Sequence, residues 1–234
     1  MIAAVVTAAG SSVRMGGLKK EYRTLGDGAL DRDGKPLTVL GASLAAFVDS
    51  GLVDLVVVSV PADGEGDARA ALPSGFLGLD AVPRVLFVPG GSTRRRSVHA
   101  ALALLEAYGP DFVLIHDGAR PWVDRALIER TIAAVREKRA VVPVLPLVET
   151  PKEIDGSGIV VRHLRRSSVA AAQTPQAFAF PDILRAHEQA AERELAEGVE
   201  YTDDAEVWGA FIGSVAVVEG SAGNRKITFP GDLP

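Results

Sequence analysis

The chain has 234 residues, 47% hydrophobic and 24% charged, a balance that supports one packed domain over 1–234 and excludes a disordered or low-complexity chain. A net charge of −5 excludes a broad nucleic-acid surface, which needs a basic excess, while leaving room for a local basic pocket that takes a small phosphate. The absence of cysteine excludes disulfides and thiolate metal sites and fits a reducing cytoplasm.

The N-terminus lacks the basic and long apolar regions of a secretory signal, and no apolar run reaches the roughly 18–20 residues of a membrane span. A cytoplasmic protein without membrane contact is expected. Ile2–Val6 reads as a buried strand, followed by the loop Ala8-Ala9-Gly10-Ser11-Ser12-Val13-Arg14-Met15-Gly16-Gly17. Its small residues would let backbone N–H groups approach a triphosphate, which Arg14 and Lys20 would neutralise. The spacing matches neither G-x-G-x-x-G nor the P-loop. Read alone, the segment leaves open a glycine-containing turn with two solvated cations.

Gly26–Lys35 is polar and glycine-rich and is expected to form an exposed hairpin or flexible loop. A helix over Leu37–Val48 and a strand over Leu55–Val60 follow. After the strand Val85–Val88 comes Pro89-Gly90-Gly91-Ser92-Thr93-Arg94-Arg95-Arg96-Ser97, with hydroxyl and guanidinium groups suited to a base, a ribose or a phosphate. Ser92 or Ser97 is also a candidate cap for the helix Ser97–Tyr108. The strand Phe112–Ile115 ends in His116-Asp117-Gly118-Ala119-Arg120-Pro121, where Asp117 is placed to hold Mg²⁺, Arg120 to meet an acceptor phosphate, and His116 to serve as a hydrogen-bonded structural residue. A salt-bridged turn is the plainer reading of that motif. Arg125–Glu137 is helical in spacing, and Val141–Val144 and Val215–Val218 are strand-like. Leu147–Val169 reads as a hairpin arm turning at Asp155-Gly-Ser-Gly; with so little apolar surface of its own it is expected to pack on something else, such as another subunit. Alternating strands and helices predict an α/β fold with a mostly parallel sheet covered on both faces.

The three loops together resemble the 2-C-methyl-D-erythritol 4-phosphate cytidylyltransferases of the non-mevalonate isoprenoid pathway. The likeness continues through Lys20-Glu21-Tyr22, Glu149-Thr150, Arg166, Gln173-Thr174-Pro175-Gln176, Tyr201-Thr202-Asp203-Asp204 and Asn224-Arg225-Lys226-Ile227-Thr228. It implies a single Rossmann-like domain with a protruding β-hairpin arm. It also implies that Ala8, Ala9 and Gly10 cradle CTP, with Arg14, Lys20 and Lys226 as catalytic cations. Gly91, Ser92 and Ser97 fall where the family recognises cytosine and nearby groups, with Arg94 in the same loop. Asp117 matches the carboxylate linked to Mg²⁺ or another divalent cation, and Gly118 and Ala119 lie against the nucleotide. Thr150, Arg166, Thr202 and Lys226 match residues that hold or activate the acceptor, with Arg120 nearby. In the family the arm clasps a second subunit, so Thr150 and Arg166 would serve the neighbour's site in a homodimer.

The chain departs from the family pattern at Lys19, where many relatives carry proline, at Ser92, where an acid is common, and at Gly118, where alanine is frequent. Its Gly26–Lys35 loop is longer, and it stops at Pro234 where relatives often continue into a helix. The implied reaction is in-line attack of an acceptor phosphate oxygen on the α-phosphorus of CTP, with pyrophosphate leaving. No covalent protein intermediate is needed, and the cations with Mg²⁺ offset the repulsion between anions. A ribitol 5-phosphate cytidylyltransferase and a non-catalytic nucleotide-binding protein on the same fold are the alternatives.

Overall fold

Three runs of β-branched and aliphatic residues form the centre of the molecule: β1 (Ile2–Thr7), β2 (Leu55–Val60) and β4 (Phe112–Asp117), buried on both faces almost throughout. The structure is a computed structural model that describes residues 1–10, 19–26, 28–78 and 83–234. Successive side chains of a strand point to opposite faces. Ile2, Ala4 and Val6 accordingly pack with Leu40, Leu44 and Phe47 of α1 (Val39–Ser50), together with Leu127, Ile128 and Val135 of α4 (Arg125–Lys138). Ala3 and Val5 instead join Val98, Leu102 and Leu105 of α3 (Arg94–Glu106), Ile183 of α5 (Asp182–Glu197) and Trp208 of α6 (Asp204–Phe211). The result is a helix–sheet–helix sandwich, the α/β fold that the alternation predicts.

Beside these strands lie β3 (Arg84–Pro89), β5 (Ala140–Pro146), β8 (Ala170–Ala172), β9 (Gln176–Ala179) and β10 (Ala216–Glu219). Among the described residues they complete an eight-stranded sheet in the order β10-β5-β9-β4-β1-β2-β3, with β8 on β5. Neighbouring pairs are parallel from β3 through β4, and β5 is parallel to β10. Strand β9 runs antiparallel to both β4 and β5, and β8 runs antiparallel to β5. An antiparallel strand begins where its parallel neighbours end. With Ile115 opposite Gln176, the segment Gln173–Pro175 therefore sits beside Asp117 at the carboxyl edge of the sheet. No helix among the described residues is long and apolar enough to cross a membrane.

Helix α3 begins at Arg94 and not at Ser97, because the hydroxyl of Thr93 accepts from the Arg96 N–H at 3.2 Å and caps it. The cap is thus neither Ser92 nor Ser97. Thr38 and Asp124 cap α1 and α4 in the same way, at 2.9 and 2.7 Å. In the loop 28–35, the Asp31 carboxylate accepts from the N–H groups of Asp33 and Lys35 at 2.9 and 2.8 Å, and Leu30 bridges to Pro36. This is the exposed hairpin form of that segment.

The arm is a separate two-stranded ribbon, β6 (Lys152–Ile154) against β7 (Val160–His163). Asp155 closes its turn, accepting from Ser157 and Ile159 N–H groups at 2.9 and 3.0 Å. Every residue of both strands is exposed, with Ile154 and Val161 more than half accessible.

Candidate active site

The loops after β1, β3 and β4, the approach to β9 and the segment after β10 meet at the carboxyl edge of the sheet, where open α/β folds bind ligands. Backbone bonds stitch them together: Ala8 N–H to the Ser59 carbonyl at 2.8 Å, Gly90 N–H to Val60 at 2.7 Å, Gly118 N–H to Thr7 at 3.0 Å and Ile227 N–H to Ala119 at 2.9 Å. Two glycines are needed for this closeness. A Cβ on Gly90 would lie 2.3 Å from the Ala9 Cβ, and one on Gly118 would lie 2.9 Å from the Thr7 carbonyl oxygen. The Ser97 hydroxyl accepts from the Gly91 N–H at 3.1 Å and donates to the Thr93 carbonyl at 2.9 Å, which sets the glycine loop before any ligand arrives.

These segments enclose a cleft of about 500 Å³ lined by Thr7, Ala9, Gly10, Lys20, Glu21, Gly91, Ser92, Thr93, Arg94, Ser97, Asp117, Ala119 and Lys226. A smaller cavity of about 300 Å³ under the 28–35 hairpin, between Leu30, Leu37 and Phe76, contains none of the motif residues. The volume of the first cleft suits a nucleotide-sized ligand.

Asp117 is the hub. Its Oδ1 accepts from Arg94 Nε at 3.0 Å and its Oδ2 from Lys226 Nζ at 2.7 Å, and Arg120 Nε lies 3.6 Å from Oδ2. Burial alone would push its carboxyl up, but Arg94, Lys226 and Arg120 outweigh that and hold it well below the usual carboxylate range. The site is locally cationic in a chain whose net charge is −5. Behind it, Thr174 Oγ1 accepts from the Asp117 N–H at 3.1 Å and so has its proton for His116 Nδ1, also at 3.1 Å. Nε2 of His116 donates to the Arg120 carbonyl at 3.1 Å, so in a neutral ring Nδ1 is the acceptor for Thr174. Burial pushes His116 down to about 4, in agreement. His116 is a structural group, as its position in the sequence indicates.

Ala9, Gly10, Lys20, Gly91, Ser92, Arg94, Ser97, Asp117 and Lys226 are thus brought together on one cleft. Ala8 is buried immediately beneath it, and Gly118 packs against Thr7 and Leu40 without lining it. Arg120 is mostly buried and donates to the Asn224 carbonyl at 2.9 Å, so it ties the β4 loop to the Lys226 segment instead of facing the cleft. Thr150, Arg166 and Thr202 do not line the cleft of their own chain. Arg166 is exposed and donates to the Val148 carbonyl at 2.6 Å, and the Thr202 hydroxyl donates to Glu206 at 2.8 Å. Arg14 lies outside the described residues.

The sequence reading missed Thr7, Glu21 and Thr93 as lining groups, Thr174 as the support of Asp117, and Asp204, which holds Arg94. All but Thr7 stood inside motifs already singled out: Glu21 beside Lys20, Thr93 in the glycine loop, Thr174 before Pro175 and Asp204 after Asp203. Among the described residues no three His, Cys, Asp or Glu side chains cluster to cage a metal. One ionised carboxylate on the cleft floor, paired with an amine that is 35% exposed, still suits Mg²⁺, which is commonly held by one or two carboxylates plus substrate phosphates.

A sequence profile described as IspD, 2-C-methyl-D-erythritol 4-phosphate cytidylyltransferase, matches residues 2–234. A "Bifunctional enzyme IspD/IspF" from Bradyrhizobium sp. (strain ORS 278) is 40% identical over 234 residues, covering 99% of this chain and 54% of that protein. The chain spans about half the length of the curated relatives it matches. The 4-diphosphocytidyl-2C-methyl-D-erythritol synthase of Anaerococcus prevotii superposes with a TM-score of 0.80 at 30% identity, covering 99% of this chain and 92% of that one. The 2-C-methyl-D-erythritol 4-phosphate cytidylyltransferase of Thermus thermophilus does so with a TM-score of 0.73 at 33% identity, covering 100% and 96%.

Proposed function

This chain belongs to the IspD, or 2-C-methyl-D-erythritol 4-phosphate cytidylyltransferase, family, and on that footing we propose that it transfers CMP from CTP to 2-C-methyl-D-erythritol 4-phosphate. The products are 4-diphosphocytidyl-2-C-methyl-D-erythritol and pyrophosphate. The observation that carries the reading is the cationic cleft built on Asp117, where Lys20, Arg94 and Lys226 arrive from separate parts of the chain.

The glycine loop at Gly91 and Ser97 receives the nucleotide, and its preset shape lowers the ordering cost of binding. Lys20 and Lys226 then face the triphosphate and the acceptor phosphate, with Arg14 assigned the same work from its place in the first loop. Among the described residues Lys226 pairs its side chain only with Asp117, and it is partly exposed, so its amine can follow charge as it builds on the phosphorus. The acceptor phosphate is already an anion and needs no general base. Asp117 would hold Mg²⁺, which when bound supplies further neutralisation of the phosphate oxygens.

Thr150 and Arg166 are exposed and flank the root of the arm, just outside β6 and β7. Exposed Val148, Ile154, Ile159 and Val161 beside them favour a homodimer in which the arm reaches a partner's site and contacts its acceptor. Thr202 belongs to the proposed acceptor region, and Arg120 supports it indirectly by tying the Lys226 segment to the β4 loop. We place the enzyme in the cytoplasm, where CTP is available and cysteine-free chains lose nothing. The test is turnover with each of CTP, UTP, ATP and GTP against methylerythritol 4-phosphate and ribitol 5-phosphate. Fast release of pyrophosphate with CTP and methylerythritol 4-phosphate alone is expected. Equal use of ribitol 5-phosphate, or of UTP, would overturn the assignment.

A further inference from the structure

The mechanism above makes no use of a second buried carboxylate behind the cleft. Asp204 is 1% exposed and opens α6, yet it is not the cap of that helix. Asp203 caps it, accepting from the Glu206 N–H at 2.9 Å. The Asp204 carboxylate points inward instead. Its Oδ2 accepts from Arg94 Nη1 at 2.8 Å, and its Oδ1 lies 3.2 Å from Nε2 of the fully buried His187. Burying a carboxylate is costly unless it is paired, so this placement answers to its partner. Burial alone would push the Asp204 carboxyl up, and Arg94 with His187 more than reverses it.

Arg94 is therefore gripped at two points, Nε on Asp117 and Nη1 on Asp204, while Lys226 is gripped, among the described residues, at Asp117 only. The two cations that share Asp117 differ in freedom. Lys226 can leave the carboxylate for a phosphate, whereas Arg94 would have to abandon two charge-assisted hydrogen bonds to do so. We propose that Asp204 is a positioning residue that pins Arg94 as a fixed counter-charge to Asp117, so that Lys226 is the cation released to the reacting phosphates. This rests on the cytidylyltransferase reading. Without Asp204, the Arg94 guanidinium is held at one point and competes with Lys226 for the triphosphate in the ground state, which favours binding over turnover.

The test compares Asp204→Asn, Arg94→Gln and the double variant in the full chain. It reads kcat with methylerythritol 4-phosphate, CTP affinity by calorimetry and thermal unfolding. Asp204→Asn is expected to lower kcat at least tenfold while leaving CTP affinity within about threefold, a split that general loosening of the fold does not produce. The double variant is expected to match Arg94→Gln, because Asp204 has nothing to act through once Arg94 is gone. Wild-type kcat in Asp204→Asn, or a double variant whose loss is the product of the single losses, overturns the inference. If Asp204→Asn does not fold, the comparison of Arg94→Gln with the double variant decides alone: equal kcat supports the inference and a further tenfold loss overturns it. An inactive wild type overturns the reaction itself, which keeps the two failures apart.

Discussion

At the scale of single residues, catalysis depends on which charges are free to move. Lys20→Ala and Lys226→Ala are each expected to lower kcat by about 10²–10³, the usual cost of losing one contact to a developing charge. Lys226→Ala removes one of the cations that hold Asp117 ionised, so it is also expected to lower thermal stability, and near-wild-type kcat in both variants would contradict the site. His116 gives a pH signature. The unfolded chain takes up this proton near its ordinary value of 6.5, and the folded chain only near 4, so folding stability must fall as pH drops through that window. The loss is about 3 kcal/mol across it, measured as unfolding free energy without added metal. His116→Gln should lose most of that pH dependence, and a wild type as stable at pH 4.5 as at pH 7 would refute the buried neutral ring. Asp117 and Lys226 were both legible as candidates in the sequence. Their contact was not, because they lie 109 positions apart and only the sheet order brings them together.

At the scale of elements, legibility followed burial. Strands β1, β2 and β4 show as unbroken apolar runs because both of their faces are covered. Helices α1, α3 and α4 show because one stripe of each meets the sheet. Strand β9 did not show, since Gln176-Ala-Phe-Ala is short and opens on a polar residue that is buried only through its bonds to Asp203 and the Ala205 N–H. Helix α5 was not read although its buried Ile183, Leu184, Ala186, His187 and Ala190 follow helical spacing, because much of that stripe is alanine and histidine and carries little apolar signal. The arm was legible from its Asp155-Gly-Ser-Gly turn, and its role is open to a direct test. If Arg166 serves a partner's site while Lys20 serves its own, Lys20→Ala and Arg166→Ala proteins are each inactive. After random exchange of equal amounts, half of the dimers are mixed, each with one intact site, so activity is expected to return to about one quarter of wild type. No recovery despite proven exchange would mean that Arg166 does not act across an interface.

At the scale of the whole molecule, an acidic chain keeps one cationic recess. Arg94, Arg120 and Lys226 gather around Asp117 at the sheet edge and Lys20 lines the same cleft, the recess proposed to receive a nucleoside triphosphate. The fold supplies that recess by following its parallel strands with small residues such as Ala8, Gly90 and Gly118 and starting an antiparallel strand beside them. Phosphorus NMR of the protein with CTP, Mg²⁺ and methylerythritol 4-phosphate tests this most directly. Each CTP consumed should yield one pyrophosphate and one cytidine diphosphate ester of the acceptor, with no change when the acceptor is omitted. CTP left intact in the complete mixture, or broken down to free CMP or CDP without ester, would contradict it.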